Sequence, residues 1–190
     1  SLPVEQRVEL LLGEMTLEEK AGLFFHTMIT MGPNGEISDG EEAFSIPSTE
    51  EYVLERNMTH FNLLTVAPTA KAMADWYNQL QGIASRSRLG IPVTISTDPR
   101  NSFSDNPAAA LMAGPFSQWP EPLGLAATRD AATVEHFGDV ARQEYLAVGI
   151  RVALHPQVDL ATEPRWARAL QTFGEDVNLT SELGAAYIRG

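Results

Sequence analysis

Two polar runs carry residue types that could do chemistry together. One is Thr97-Asp98-Pro99-Arg100-Asn101. The other is His155-Pro156-Gln157-Val158-Asp159, followed shortly by Thr162-Glu163-Pro164-Arg165-Trp166-Ala167-Arg168. A carboxylate and a guanidinium facing one pocket can divide the hydroxyls of a sugar. Asp98 would accept from two of them, and the fork of an arginine would donate to one or two more. An indole such as Trp166 could stack on the apolar side of a pyranose ring. The same residues also have a purely structural use, with Asp98 capping a loop and Arg165 and Arg168 pairing with Asp159 or Glu163. Spacing alone weighs these two uses about evenly.

Other chemistries find less support. Of His26, His60, His136 and His155, no pair has metal-ligand spacing and there is no His-Glu-x-x-His. His155, beside Asp159, has the best claim to a pocket, against the more common fate of a core histidine. No cysteine is present, which excludes disulfides, thiolate metal sites and cysteine nucleophiles. No Gly-x-Gly-x-x-Gly follows a strand pattern and no Gly-x-x-x-x-Gly-Lys occurs, so nucleotide binding loses its usual signatures. The adjacent carboxylates Glu18/Glu19 and Glu41/Glu42 read as solvated surface. Glu175 and Asp176 suit a helix start, where the dipole favours acid. A formal charge of -12 on 190 residues argues against nucleic acid and anionic membrane as partners. No apolar run reaches the length of a membrane span and no signal-peptide pattern is visible, which leaves a cytoplasmic, periplasmic or secreted location open.

These residues need elements to hold them. Val4, Val8, Leu11 and Leu12 recur at helical spacing, and Thr16-Leu17-Glu18-Glu19 is a capping box opening a second helix. Strands are expected over 22–29, 61–66, 91–97 and 150–160, the first as a buried strand. A short helix start falls at Ser48-Thr49-Glu50-Glu51. The clearest helix begins at Pro68-Thr69, carries Met73, Trp76, Tyr77, Leu80, Ile83 and Ala84 on one face, and stops at Gly90. Another is capped by Asp130 and stopped by Gly149. A last one runs from about Glu175 towards Gly190, and a loop occupies 99 to about 122. Strand and helix alternate, and the strands read as apolar on both faces. That is the pattern of a parallel α/β fold, either a barrel or a doubly wound sheet, with about four β/α units.

Several ordered segments resemble one enzyme family. Met15-Thr16-Leu17-Glu18-Glu19-Lys20-Ala21-Gly22-Leu23 is similar to the N-terminal signature of glycoside hydrolase family 3. Leu89-Gly90-Ile91-Pro92-Val93 leading to Thr97-Asp98 resembles the family strand that ends on a substrate-binding Asp. The run from Pro120 to Leu123 and then Leu125-Ala126-Ala127-Thr128-Arg129-Asp130 resembles its "FP…LAAT-x-D" segment. Glu144 to Gly149, Pro156 to Asp159 and Glu163 to Asp176 resemble "E…A-x-G…P-x-x-D…DPRWGR…E-x-F-GED".

The resemblance implies a (β/α)8 TIM-like barrel, of which this chain holds the first half or so, usually followed by an α/β sandwich domain. It implies release of a non-reducing-end sugar, here glucose, from β-glycosides by a retaining double displacement with neither metal nor organic cofactor. Asp98 and Arg168 match the family's sugar-contacting Asp and Arg, while Arg165 and Trp166 match residues that support the loop, with Arg165 also a candidate pocket residue. The sequence departs from the pattern at Glu163 in place of Asp, Ala167 in place of Gly, and Gln171 where Glu is common. Gln171 removes a charge near Arg168. Arg100 stands in a loop that more often reads Asp-x-x-His-Gly, and is either a pocket residue or half of a loop ion pair. The family's Lys-His pair, nucleophilic Asp and acid/base have no match here and are expected beyond Gly190, so this chain carries no catalytic residue of its own. Its partners are then a carbohydrate and the remainder of the same polypeptide, or a homo-oligomer that covers the open strand edges. If the natural chain ended at Gly190, a sugar-binding or scaffold protein would be the better reading. A barrel lyase or aldolase lacks a Schiff-base lysine, phosphate loop or metal cluster.

Overall fold

The computed structural model describes residues 2–102 and 112–190. Four parallel strands form one sheet in the order β1-β2-β3-β4, with β1 at His26–Ile29, β2 at His60–Leu63, β3 at Thr94–Thr97 and β4 at Ile150–Ala153. Among the described residues six α-helices accompany them: α1 (Val4–Glu14), α2 (Leu17–Gly22), α3 (Ala70–Ala84), α4 (Pro122–Ala127), α5 (Ala131–Ala147) and α6 (Val177–Arg189). Parallel neighbours in sequence order, each joined by a helical crossover or a long loop, are the expected β/α series.

Register separates the two faces of the sheet. Phe61, Ile95 and Ile150 are paired across β2, β3 and β4, and Ile29 pairs with Leu63. All five are buried against α3, where Met73, Trp76, Leu80 and Ile83 lie at helical spacing. Each such side chain gains about 1.5–3 kcal/mol from leaving water, so this layer fixes the sheet against the helix. The opposite face pairs His26 with His60 and Thr94, and Met28 with Asn62 and Ser96. The strands are therefore not apolar on both faces, as the sequence suggested; one face is polar. Short runs conceal this, because a four-residue strand shows only two residues of each face.

Other boundaries shift for local reasons. The capping box forms as expected, with Thr16 accepting from the Glu19 N–H and the Glu19 carboxylate accepting from the Thr16 N–H. The α2 helix so nucleated runs to Gly22, which packs so close to the Asn57 carbonyl that an added Cβ would lie 2.2 Å from that oxygen. The run 22–29 is consequently not one buried strand: β1 starts at His26, and Phe24 and Phe25 are exposed. Glu19 is also not solvated surface, since Arg88 pairs with it and, with the Thr16 N–H, holds its carboxyl down to about 2. The fourth strand ends at Ala153 rather than near 160, because Pro156 has no N–H to continue the ladder.

Helix α1 forms where its spacing predicts but buries none of its residues. Helix α3 ends at Ala84, before Gly90, which sits in the left-handed region of the following turn. A π-helical turn, Glu51–Glu55, occupies the helix start expected at Ser48. Asp130 and Asp176 cap α5 and α6 through their N-terminal amides. These helices approach at Gly138, where a Cβ would meet the Tyr187 carbonyl at 2.4 Å. With α4 they enclose a second core of Leu125, Val134, Phe173 and Leu183. Of the loop expected over 99–122, the stretch 103–111 lies outside the described residues, and the end of that loop is the start of α4.

Candidate functional site at the strand ends

The C-terminal strand ends are tied to one another by polar side chains. Thr65, just beyond β2, accepts from the Met31 N–H at 2.7 Å and donates to the Met31 carbonyl at 3.2 Å, joining the ends of β1 and β2. Asp98 follows β3 directly. Its Oδ2 accepts from the Asn62 amide nitrogen at 2.7 Å, so a β2 side chain sets the orientation of a β3 carboxylate. Asp98 itself is half-buried, which leaves part of the carboxylate for a ligand.

Beneath this pair lies Arg100, with 0% of its surface exposed. Its Nε donates to Thr97 Oγ1 at 2.7 Å, Nη2 to the carbonyls of Leu63 at 2.5 Å and Thr65 at 3.2 Å, and Nη1 to the Met112 carbonyl at 3.3 Å. Among the described residues no carboxylate pairs with it directly. Burial lowers its pKa to about 10, opposed by the fields of Tyr145 and Asp98, so it stays charged at neutral pH. Among the described residues Arg100 forms no ion pair, one of the two roles the sequence offered it, and it is not on the wall of the cavity at Pro99. Its guanidinium is spent on the Thr97 hydroxyl at the end of β3 and on carbonyls at and just beyond the end of β2, which ties the two strand ends together.

Arg168 sits on the exposed loop after β4. Its Nε donates to Gln171 Oε1 at 2.7 Å and its Nη2 to Gln157 Oε1 at 3.2 Å. Gln171, noted as a departure that removes charge, is buried and is the group that holds this arginine. Gln157 also donates to Asp159 Oδ2 at 2.9 Å. Arg165 pairs instead with Glu163 at 2.9 Å and remains largely in solvent, the structural one of the two uses offered for it. Trp166 is half-buried on the same loop.

His155 lies behind the strand ends rather than on them. Its Nε2 is 3.3 Å from the Tyr145 hydroxyl, and its ring meets those of Tyr145 and Tyr187. Because the Tyr145 oxygen accepts from the Arg100 N–H, its proton is free to go to His155 Nε2. Burial drives this histidine down to about 4, so it is neutral at pH 7. It lines a cavity of about 30 Å3 together with Pro99, Ser102, Glu121 and Gln157. The cavity wall thus touches the neighbour of Asp98 and a partner of Arg168, but no hydrogen bond joins Asp98 to Arg168 among the described residues. Sequence reasoning missed Asn62, and it gave Gln157 no role although that residue stood in the second polar run. Asn62 did leave a signal: it is an amide among the mainly apolar residues of the run 61–66.

A parallel β/α sheet with its polar residues gathered at the C-terminal strand ends is the arrangement of a β/α-barrel protein. Residues 51–190 match the family model described as the glycosyl hydrolase family 3 N terminal domain, and the chain belongs to that family. It is 54% identical to β-glucosidase C of Emericella nidulans over 98% of its length, and 42% identical to the periplasmic β-glucosidase/β-xylosidase of Dickeya chrysanthemi over all of it. It spans 29% of each of those relatives. Among solved structures it resembles the β-glucoside phosphorylase BglX bound to 2FGlc, with a TM-score of 0.75 at 23% identity, covering 100% of this chain and 30% of that one. It also resembles the β-glucosidase from Listeria innocua, with a TM-score of 0.68 at 25% identity, covering 98% and 23%. The four β/α units are therefore a partial TIM-type barrel. Among the described residues no helix is long and apolar enough to cross a membrane.

Proposed function

We propose that the complete protein hydrolyses β-glucosides, releasing glucose from the non-reducing end, and that this chain supplies part of the subsite for that sugar. The observation that carries the reading is Asp98, half-buried at the end of β3 and fixed by Asn62, at the position where the family places its sugar-binding carboxylate. Asp98 accepts from two neighbouring hydroxyls, and Arg168, on the adjacent loop, donates to the same ring. The relatives at 54% and 42% identity bear β-glucosidase names, which supports glucose as the sugar.

The remaining strands, the nucleophilic Asp, the acid/base and an α/β sandwich domain lie beyond Gly190 in this reading. The chemistry is a double displacement between two carboxyl groups about 5–5.5 Å apart. This chain contributes neither group. Its part is to hold the ring so that the anomeric carbon meets the nucleophile, through hydrogen bonds that strengthen as the ring flattens.

The test is Asp98→Ala in the complete protein with a nitrophenyl β-glucoside. Two charge-assisted hydrogen bonds at about 1.5 kcal/mol each or more predict a fall in kcat/KM of at least roughly 100-fold. Turnover close to wild type would overturn the assignment of Asp98. A wild-type protein that binds glucose but cleaves no β-glycoside would overturn the hydrolase and leave a sugar-binding protein.

A further inference from the structure

Asn62 occupies the polar face of β2, 8% exposed, with its amide engaged at both ends. Its nitrogen donates to Asp98 Oδ2 at 2.7 Å, and its oxygen lies 3.5 Å from Ser96 Oγ, which also reaches the Phe61 carbonyl at 3.3 Å. His26 Nε2 is 2.7 Å from the same Ser96 hydroxyl. One direction is fixed by chemistry: a carboxylate accepts, so the Asn62 NH2 faces Asp98 and its oxygen faces Ser96. Ser96 has one proton for the Phe61 carbonyl, the Asn62 oxygen or the His26 ring, according to the tautomer the imidazole takes. The contacts nevertheless pack the Asn62 amide between two fixed groups in a poorly solvated setting, where a hydrogen bond is strong.

We propose that Asn62 is the positioning residue for the sugar-binding carboxylate: it holds Asp98 in one rotamer through the hydrogen bond that its buried amide nitrogen donates. The inference rests on the reading in which Asp98 holds the sugar. Asn62 touches no ligand itself, and its contribution is orientation. Misplacing a binding group by about 1 Å is enough to cost on the order of 100-fold in rate.

An isosteric exchange separates orientation from packing. In Asn62→Asp the new side chain donates to Asp98 only while it holds a proton. Two facing carboxylates share one proton and titrate as a pair, with the second loss pushed to higher pH. At low pH the variant therefore keeps the bond, and as pH rises through that second step it loses it and the two anions repel. The other ionisable groups around the pair are His26 and His60 on the same sheet face, Arg100 below, Tyr145 on α5 and His155 after β4. They are common to both proteins, so the ratio of variant to wild-type kcat/KM cancels their effect to first order.

The experiment measures this ratio for the complete protein on a nitrophenyl β-glucoside between pH 5 and pH 8, with Asn62→Ala alongside and thermal midpoints for all three. For Asn62→Asp the ratio should fall by roughly tenfold or more as pH rises, while for Asn62→Ala it should be low, through a raised KM, and flat with pH. A flat ratio for both variants, or activity near wild type in Asn62→Ala, would overturn the positioning role. Asp98→Ala measured in the same series keeps the outcomes apart. If it is silent, the subsite reading fails; if it is severe while Asn62 variants behave as wild type, only the present inference fails.

Discussion

The carboxylate after β3 and the guanidinium beyond β4 belong to one proposed subsite but are held by opposite means. Asp98 rests on a buried lattice: Asn62 from β2 fixes its oxygen, and Arg100 ties the ends of β2 and β3 to the segment at Met112. Arg168 lies on an exposed loop and is restrained by two glutamine oxygens, one of them at 3.2 Å. A group fixed before the ligand arrives loses little freedom on binding. A long exposed side chain loses up to about 2 kcal/mol of rotamer entropy. In the proposed subsite the β3 end would then be the rigid reference for the sugar, and the β4 loop its adaptable side.

The largest effect should come from removing the buried cation under the rigid side. Arg100→Met leaves the carbonyls of Leu63, Thr65 and Met112 and the Thr97 hydroxyl without their donor in a site closed to water. Losses of this kind cost about 3–5 kcal/mol. Denaturant unfolding of the variant should show it as a large drop in midpoint. A change below about 1 kcal/mol would mean that the strand ends relax around the gap, and that the β3 side is no more rigid than the loop.

Which parts were legible from the residues follows the same contrast. Helix α3 was readable because five buried side chains recur on one face over fifteen residues, and its cap and pattern agree. The place of Asp98 directly after β3 was readable because an apolar strand pattern ends there. The polar sheet face was not, since each strand is four residues long and His26, Asn62 and Ser96 are brought together only by register. Arg100 read as a pocket residue or as half of a loop ion pair. Nothing local shows that its donors find carbonyls 37 and 35 residues away. Phe24 and Phe25 misled in the other direction, since apolar character predicts burial and the capped α2 helix leaves them outside.

On the adaptable side, Arg168→Ala should raise KM for a nitrophenyl β-glucoside about tenfold, equivalent to about 1.4 kcal/mol, and lower kcat less. That split is expected of a group that binds substrate and transition state alike. Should kcat instead drop by roughly two orders of magnitude while KM stays unchanged, Arg168 would be as preorganised as Asp98, and the contrast between the two strand ends would collapse.

The smallest effect belongs to Arg165, three residues earlier on the same loop. Its guanidinium makes a two-pronged contact with Glu163, with Nε and Nη2 both at 2.9 Å from the carboxylate oxygens, and its side chain is 88% exposed. The Arg165 hydrogen bonds hold the Glu163 carboxyl below its ordinary range, so the pair is intact at neutral pH and is lost only in acid. In open solvent such a pair adds little, because water and salt screen it and two long side chains must be ordered to form it. Arg165→Ala should therefore leave both the unfolding midpoint and kcat/KM where they are, at low and at high salt. A roughly tenfold loss of kcat/KM without a change in midpoint would bring Arg165 onto the sugar. The loop would then reach the ligand with two arginines, and the division between a fixed acceptor and a single mobile donor would have to be redrawn.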